Sequence, residues 1–175
     1  MKIEQIEGDL LDFPNGINVI AQCCNCKAVQ SAGIAKQIKE RYPEAYEADK
    51  THHAVYQNKG NSMLGSYSSA RVWKAGEKVR FVVNLYGQEN YGVEDRQLNY
   101  EAIYCAMNRL RINLNIAHRN LQETVVGFPY GMGCGLAGGD WRIVYAMIEA
   151  LFGDSEMIKV YIVKYLEPKK GQKTC

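Results

Sequence analysis

Two short, almost uninterrupted apolar runs constrain this chain more than anything else in it. Ile17 to Cys24 and Thr124 to Phe128 are of strand length and apolar at nearly consecutive positions. A strand with one wet face alternates, whereas a strand apolar throughout is buried on both faces and needs helices on both sides of its sheet. Each run is followed by a loop and then by residues at helical spacing. After the first, Ile34, Ala35, Ile38 and Tyr42 follow from Gly33, with Pro43 interrupting before Ala45 to Ala48. After the second, Asp140 to Phe152 reads as a helix with Ile143, Ala146, Met147 and Ala150 inward.

The remaining segments fit the same scheme. Lys2 to Glu7 alternates as an outer strand does, and Pro14, Asn15 and Gly16 bound the first apolar run. Polar residues between His52 and Gly60 predict a loop, then Met63 to Trp73 and Lys78 to Leu85 predict paired strands joined around Ala75 and Gly76. A second polar loop around Tyr86, Gly87, Tyr91 and Gly92 leads to a helix whose apolar face carries Tyr100, Ile103, Tyr104, Met107 and Leu110. Met157 to Leu166 is the last strand. This alternation predicts an α/β fold with a mixed, mainly parallel sheet between helical layers.

At 175 residues, with 47% hydrophobic and 23% charged side chains, the chain is sized for one domain with its own core. No apolar run is long enough for a membrane span, and the first residues lack the pattern of a secretory signal, so a soluble, cytoplasmic protein is expected. Six cysteines raise the question of disulfides or zinc. Cys23, Cys24 and Cys26 crowd one strand end, where neighbours point to opposite faces, and no second Cys/His pair has ligand spacing; free thiols and no metal are expected. The net charge of +2 leaves no basic stripe apart from a tail at Lys169, Lys170 and Lys173, which argues against duplex nucleic acid as a partner. The length favours a monomer.

The segment VVGFPYGMGCGLAGGDW, residues 125 to 141, joins a buried strand to a helix. Glycines at 131, 133, 135, 138 and 139 leave backbone amides unshielded, and the helix behind them adds a partially positive N-terminus. Such a loop binds phosphate oxygens. It is neither a Walker loop nor a G-x-G-x-x-G dinucleotide turn. Asp140 also stands where a helix N-cap belongs. The loop after the first apolar run, residues 23 to 35, has the same strand-loop-helix form, so the two can face one another across a cleft. Asn25 there can orient a sugar hydroxyl or a water, or it can hold a turn.

Gly8-Asp9-Leu10-Leu11, Val19 to Asn25, Ser31-Ala32-Gly33-Ile34-Ala35, Val83-Asn84-Leu85-Tyr86-Gly87-Gln88 and Gly133 to Trp141, in this order, resemble a macro domain over nearly the whole chain. The resemblance implies a three-layer α/β/α macro domain over residues 1–167, with a basic tail at 168–175, and an ADP-ribose cleft that needs no cofactor. It implies that Asp9 meets the adenine amino group beside the Leu10 backbone and that Asn25 meets the distal ribose. Ser31, Ala32, Gly33, Ile34 and Ala35 would serve that ribose and the diphosphate, and Met132, Gly133, Cys134, Gly135, Leu136 and Ala137 would wrap the diphosphate.

The similarity is to the branch holding ADP-ribose 1''-phosphate phosphatases and ADP-ribosyl glycohydrolases. The lysine that those glycohydrolases use is matched here by Gln88, which cannot form a Schiff base, and the carboxylate after the Gly-Cys-Gly-Leu run is matched by Ala137. The resemblance therefore points first to hydrolysis of ADP-ribose 1''-phosphate, with Asn25 positioning and Asp140 handling a proton. A lysine-independent ADP-ribosyl hydrolase and a non-catalytic ADP-ribose reader are the alternatives. His52 and His53 are more distant candidates, and Tyr86, Tyr91 and Tyr165 are available for stacking on the ligand.

Overall fold

The computed structural model describes residues 3–12, 16–117 and 123–166. Lys2, Pro14, Asn15 and the tail lysines of the preceding section lie outside the described residues.

Six strands form one sheet: β1 (Ile3–Glu7), β2 (Val19–Asn25), β3 (Tyr67–Arg71), β4 (Phe81–Gln88), β5 (Thr124–Pro129) and β6 (Ile158–Lys164). Their order is β1-β6-β5-β2-β4-β3, and every neighbouring pair is parallel except the hairpin of β3 and β4. Four helices cover it: α1 (Gly33–Arg41), α2 (Pro43–Asn58), α3 (Tyr100–Ala117) and α4 (Trp141–Phe152). The three-layer α/β/α architecture with a mixed sheet is as the sequence predicted.

Two cores explain why β2 and β5 are apolar at successive positions. Val19 and Ala21 of β2, with Val126 and Phe128 of β5, pack on Ile103, Met107 and Leu110 of α3 and on Val144, Ile148 and Phe152 of α4. Ile20 of β2 and Val125 of β5 point the other way and join Ile38 of α1, Tyr42 at the junction of α1 and α2, and Ala45 of α2. Pro43 at the first turn of α2 lacks the N–H that no helix start can pair, so it divides α1 from α2 without breaking either.

Several boundaries depart from the sequence reading. Residues 52 to 58 are the last turns of α2 rather than a loop, because Pro43 opens a second helix instead of ending the first. Met63 to Ser66 is a turn and the strand is confined to Tyr67–Arg71, while Tyr86 and Gly87 belong to β4. The inward face of α4 is Val144, Ile148, Leu151 and Phe152; Ile143 is 41% exposed and Ala146 and Ala150 are exposed too. Both faces of α4 are apolar, and the larger side chains took the core. Tyr104 of α3 likewise faces out, while Ala102 and Ala106 face in.

The polar members of β2 and β4 meet on the α2 side of the sheet. Asn84 donates to the Ala45 carbonyl at 2.9 Å and to Ser68 Oγ at 3.1 Å, and its oxygen accepts from Gln22 at 2.9 Å. Tyr86 lies 2.7 Å from Ser68 Oγ and donates to Asp49 Oδ1 of α2 at 2.9 Å. Gln30 donates to the other oxygen, Oδ2, at 2.7 Å. A carboxylate only accepts, so Tyr86 gives its proton to Asp49 and must accept from Ser68. The direction of every bond in the chain is thereby fixed, and it ends on a carboxylate with no solvent exposure.

Burial pushes the Asp49 carboxyl above its usual range, although Tyr86 and Gln30 pull it down. Between the ordinary aspartate value and the raised folded one, the native state holds a proton that the unfolded chain has released, so raising pH across that window lowers stability. Asp49→Asn is accordingly expected to raise Tm relative to wild type near pH 8, and the gain should shrink toward pH 4. Thermal melts at both pH values check this.

Candidate functional site

Neighbouring strands β2 and β5 send their following helices to opposite faces of the sheet. α1 joins the core that holds Ile20, and α4 joins the core that holds Val19. A crevice opens at the carboxyl ends of such strands. Here it is a cleft of about 620 Å³ lined by Asp9, Leu10, Asn25, residues 31 to 35, Met132, Gly133, Gly135, Leu136 and Ala137, among others. Every expected ligand residue is therefore brought to one cleft except Cys134, whose half-buried thiol packs against the core beneath the loop.

One wall is the start of α1. Its N-cap, Ala32, makes no side-chain capping bond, so the amides of Gly33, Ile34 and Ala35 are left for an outside acceptor. The opposite wall is the glycine-rich loop. It is closed by bonds from Met132 N to Pro129 O, Cys134 N to Gly131 O, Gly138 N to Gly135 O and Gly139 N to Gly133 O. The amides of Gly133, Gly135, Leu136 and Ala137 have no acceptor among the described residues. Gly133 sits at φ 73°, and a Cβ there would meet Leu98 Cδ1 at 2.8 Å, so both backbone and packing demand glycine. The Ala137 carbonyl accepts from Gln97 and Leu98, which ties the loop to the start of α3.

Asn25 is committed to its own loop. Its oxygen accepts from the amides of Lys27 (3.0 Å) and Val29 (3.2 Å), and its Nδ2 donates to the Val29 carbonyl at 2.8 Å. These bonds bracket Ala28, a non-glycine residue at φ 53°, and hold it in the left-handed region. The turn-holding role is the one the structure displays, with one Nδ2 hydrogen left over. Asp9 accepts from the Leu11 amide through Oδ1 at 2.7 Å, which leaves Oδ2 for the cleft.

Asp140 does not belong to this cleft. It caps α4 by accepting from the Arg142 amide at 2.9 Å, and its carboxylate is gripped by the Arg142 guanidinium. It lines a separate surface depression with Tyr104 and Ile143. The hydrogen bonds from Arg142 hold its carboxyl below the usual range, so it has no proton to give at neutral pH. The expected proton-handling role is corrected to that of a helix cap.

His52 also lies outside the lining residues. It is on α2, its Nε2 is 2.8 Å from Ser66 Oγ, and its ring stacks on Tyr86 at 5.0 Å. Burial lowers its pKa and keeps it neutral. His53 contacts Gln57 on the same helix. Tyr86 is fully buried in the polar chain below, so of the three tyrosines only Tyr91 and Tyr165 reach the cleft. Tyr130, which the sequence reading did not single out, joins them there and packs on Trp141 at 5.0 Å.

Compared with known proteins, the chain is 29% identical over 163 residues to an uncharacterised 17.5 kDa protein of Enterobacteria phage T4, covering 91% of this chain and 96% of that one. It is 43% identical over 54 residues to an ADP-ribose 1''-phosphate phosphatase of Aspergillus oryzae, a match spanning 31% of this chain and 26% of the phosphatase. No family model matches. Among solved structures, it superposes on a Bacteroides thetaiotaomicron protein of unknown function with a TM-score of 0.75 at 25% identity, covering 95% of this chain and 99% of that one. On the macrodomain of Mycobacterium tuberculosis DarG the TM-score is 0.70 at 23% identity, covering 95% and 98%. This is a macrodomain fold. Thermosipho africanus DarTG, solved in complex with ADP-ribose, aligns with a TM-score of 0.71 at 16% identity, covering 98% of this chain and 43% of that one.

The chemistry available in the cleft is narrow. No lysine, arginine or histidine is among its described lining residues. Gln88, at the place considered for a lysine, lines the cleft and donates to Cys23 Sγ at 3.5 Å. Cys23 and Cys24 line it too, but burial pushes the Cys23 thiol up to about 12 and Cys24 well above the ordinary value. Cys23 is held almost wholly as the thiol at pH 8, where roughly one free thiol in four is ionised. Cys23 is therefore expected to resist iodoacetamide at pH 8 in the native protein and to react on unfolding, as peptide mass mapping can read. No group of histidine, cysteine or carboxylate side chains capable of holding a metal occurs among the described residues.

Proposed function

We propose that this macrodomain binds ADP-ribose and its derivatives in the cleft, and that it hydrolyses the terminal phosphate of ADP-ribose 1''-phosphate. The observation that carries the binding is the pair of facing walls with unpaired amides, one at the start of α1 and one in the loop from Gly133 to Ala137. Two walls of donors match the two phosphates of a diphosphate. The free oxygen of Asp9 suits the amino group of an adenine, and Tyr165 and Tyr130 supply aromatic surface. The local similarity to the phosphatases supports the hydrolytic part, although it spans only about a quarter of their length.

Hydrolysis in this cleft would use few protein groups. Water attacks phosphorus, the bond from phosphorus to the C1'' oxygen breaks, and that oxygen needs a proton. With Asp140 outside and the thiols held protonated, the phosphate monoanion itself supplies that proton, yielding ADP-ribose and inorganic phosphate. The backbone amides stabilise the charge on the transferring group. The turnover rate should then rise as pH falls through the second phosphate ionisation near about 6. A bell centred above neutrality would contradict this.

Calorimetry with ADP-ribose on wild type and Asp9→Ala tests the binding, together with the inosine analogue that lacks the amino group. Wild type should prefer ADP-ribose by about tenfold or more, and Asp9→Ala should lose the preference. No heat with wild type sinks the reading. Tight binding without phosphate release from ADP-ribose 1''-phosphate leaves a reader of ADP-ribose, which the engagement of the Asn25 oxygen and one of its Nδ2 hydrogens in its own turn favours. For the same reason Asn25→Ala reports on loop shape and not on chemistry alone.

A further inference from the structure

The polar chain under the cleft ends on Asp49 and Gln30, beside the loop that carries one wall of the cleft. Buried glutamine and aspartate are costly, and a leucine and a methionine would fill the same space between α2 and the loop after β2. Yet Asp49 is completely buried in α2 and receives Gln30 Nε2 at 2.7 Å, and Gln30 is only 4% exposed. Gln30 lies between Val29 and Ser31, both of which line the cleft, and the α1 amides begin two residues beyond Ser31. The same Gln30 Nε2 lies 4.0 Å from the sulfur of Cys24, another lining residue. At the other end of this segment Asn25 pins Lys27 and Val29. Residues 26 to 32, between β2 and α1, have no regular secondary structure. The Cys26 amide bonds to the Gln88 carbonyl at 2.8 Å and Lys27 pairs with Glu89, and beyond Lys27 the segment is tied by the side chains of Asn25 and Gln30.

We propose that Asp49 is a positioning residue for the cleft: through Gln30 it fixes the loop that aims the Gly33, Ile34 and Ala35 amides at the ligand. The carboxylate touches nothing in the cleft and acts only through the loop. Its value lies in direction: one oxygen accepts from Gln30, and the second, engaged by Tyr86, stops the carboxylate from rotating away. A loop held in its binding shape before the ligand arrives loses less entropy on binding.

This rests on ADP-ribose binding in the cleft, and the test separates the two claims. Calorimetry with ADP-ribose and amide hydrogen exchange without ligand are run on wild type, Gln30→Met, Asp49→Leu, the double variant and Asp49→Asn. Gln30→Met is expected to weaken binding about tenfold and to speed exchange across residues 26 to 35 while leaving β6 and α4 unchanged. Asp49→Leu should match it, and the double variant should be no weaker than either single one, since one tie is broken once. Asp49→Asn should recover most of the affinity, because its oxygen still accepts from Gln30 while Tyr86 redirects its proton to Ser68. Folded Gln30→Met with wild-type affinity and exchange overturns the proposal, as does Asp49→Asn as weak as Asp49→Leu. If Asp49→Leu does not fold, Gln30→Met and Asp49→Asn decide. If wild type does not bind ADP-ribose, the functional reading fails, and the exchange rates of residues 26 to 35 still decide whether the tie exists.

Discussion

Gly139→Ala is expected to lower the affinity for ADP-ribose by about a hundredfold or more. A Cβ at Gly139 would lie 2.7 Å from the Gly133 carbonyl oxygen and would also strike Leu98 Cδ2. The Leu98 side chain has no room to retreat, because it is 1% exposed and also packs against Gly133. The Gly133 carbonyl cannot retreat either without breaking the bond from Gly139 N that closes the loop. The loop must therefore open, and the unpaired amides of Gly133, Gly135, Leu136 and Ala137 lose their common direction. Overpacking of this kind also costs about 1–3 kcal/mol of stability. Gly135→Ala is the control for stability, because a Cβ there meets nothing within 4 Å and its backbone is not left-handed. Calorimetry and thermal melts on the two variants check the contrast.

The second large effect falls on stability. Asn84→Ala removes the donor to the Ala45 carbonyl and to Ser68 and the acceptor for Gln22, all fully or almost fully buried. Leaving several buried groups without partners costs far more than the net value of one hydrogen bond, so a loss of about 3–5 kcal/mol is expected. At this chain length that corresponds to a Tm lower by roughly 10 °C or more. Denaturant melts should show the midpoint falling with the slope unchanged. A drop below about 1 kcal/mol would mean that the polar chain is rescued by water.

Much of the fold was legible because two-sided burial leaves a mark on sequence. β2 and β5 are apolar at successive positions, which placed them at the centre of the sheet and placed helices on both sides. The glycine-rich loop was legible for a related reason: five glycines in nine residues serve neither strand nor helix. What was not legible came from ambiguity between equal candidates. α4 carries apolar residues on two faces, and only packing against β5 and α3 chose Val144 and Ile148 over Ile143 and Ala146. Asp140 satisfies the pattern of a cap and of a cleft acid alike, and the direction of its side chain, set by Arg142, decided for the cap.

Asp49 was invisible for a different reason. An aspartate in the middle of a polar stretch reads as solvated, and its partners Gln30 and Tyr86 are far away along the chain. A weak signal existed, since Ile38, Tyr42, Ala45 and Asp49 follow helical spacing and all four are buried. Read through Pro43 as one continuous stripe, that spacing puts the aspartate on the inward face. Tyr130 was missed although it sits inside the glycine-rich segment, because attention to backbone amides there says nothing about side chains that project over the cleft.

The absence of cationic side chains from the described lining of the cleft bears on how this protein would behave in a crowded, salty solution. A groove that holds phosphates with lysine and arginine competes with every counterion and loosens as ionic strength rises. Oriented peptide dipoles recruit few such counterions and displace few on binding. A site of this kind discriminates by shape, and its selectivity survives changes of ionic environment that would erase that of a basic patch.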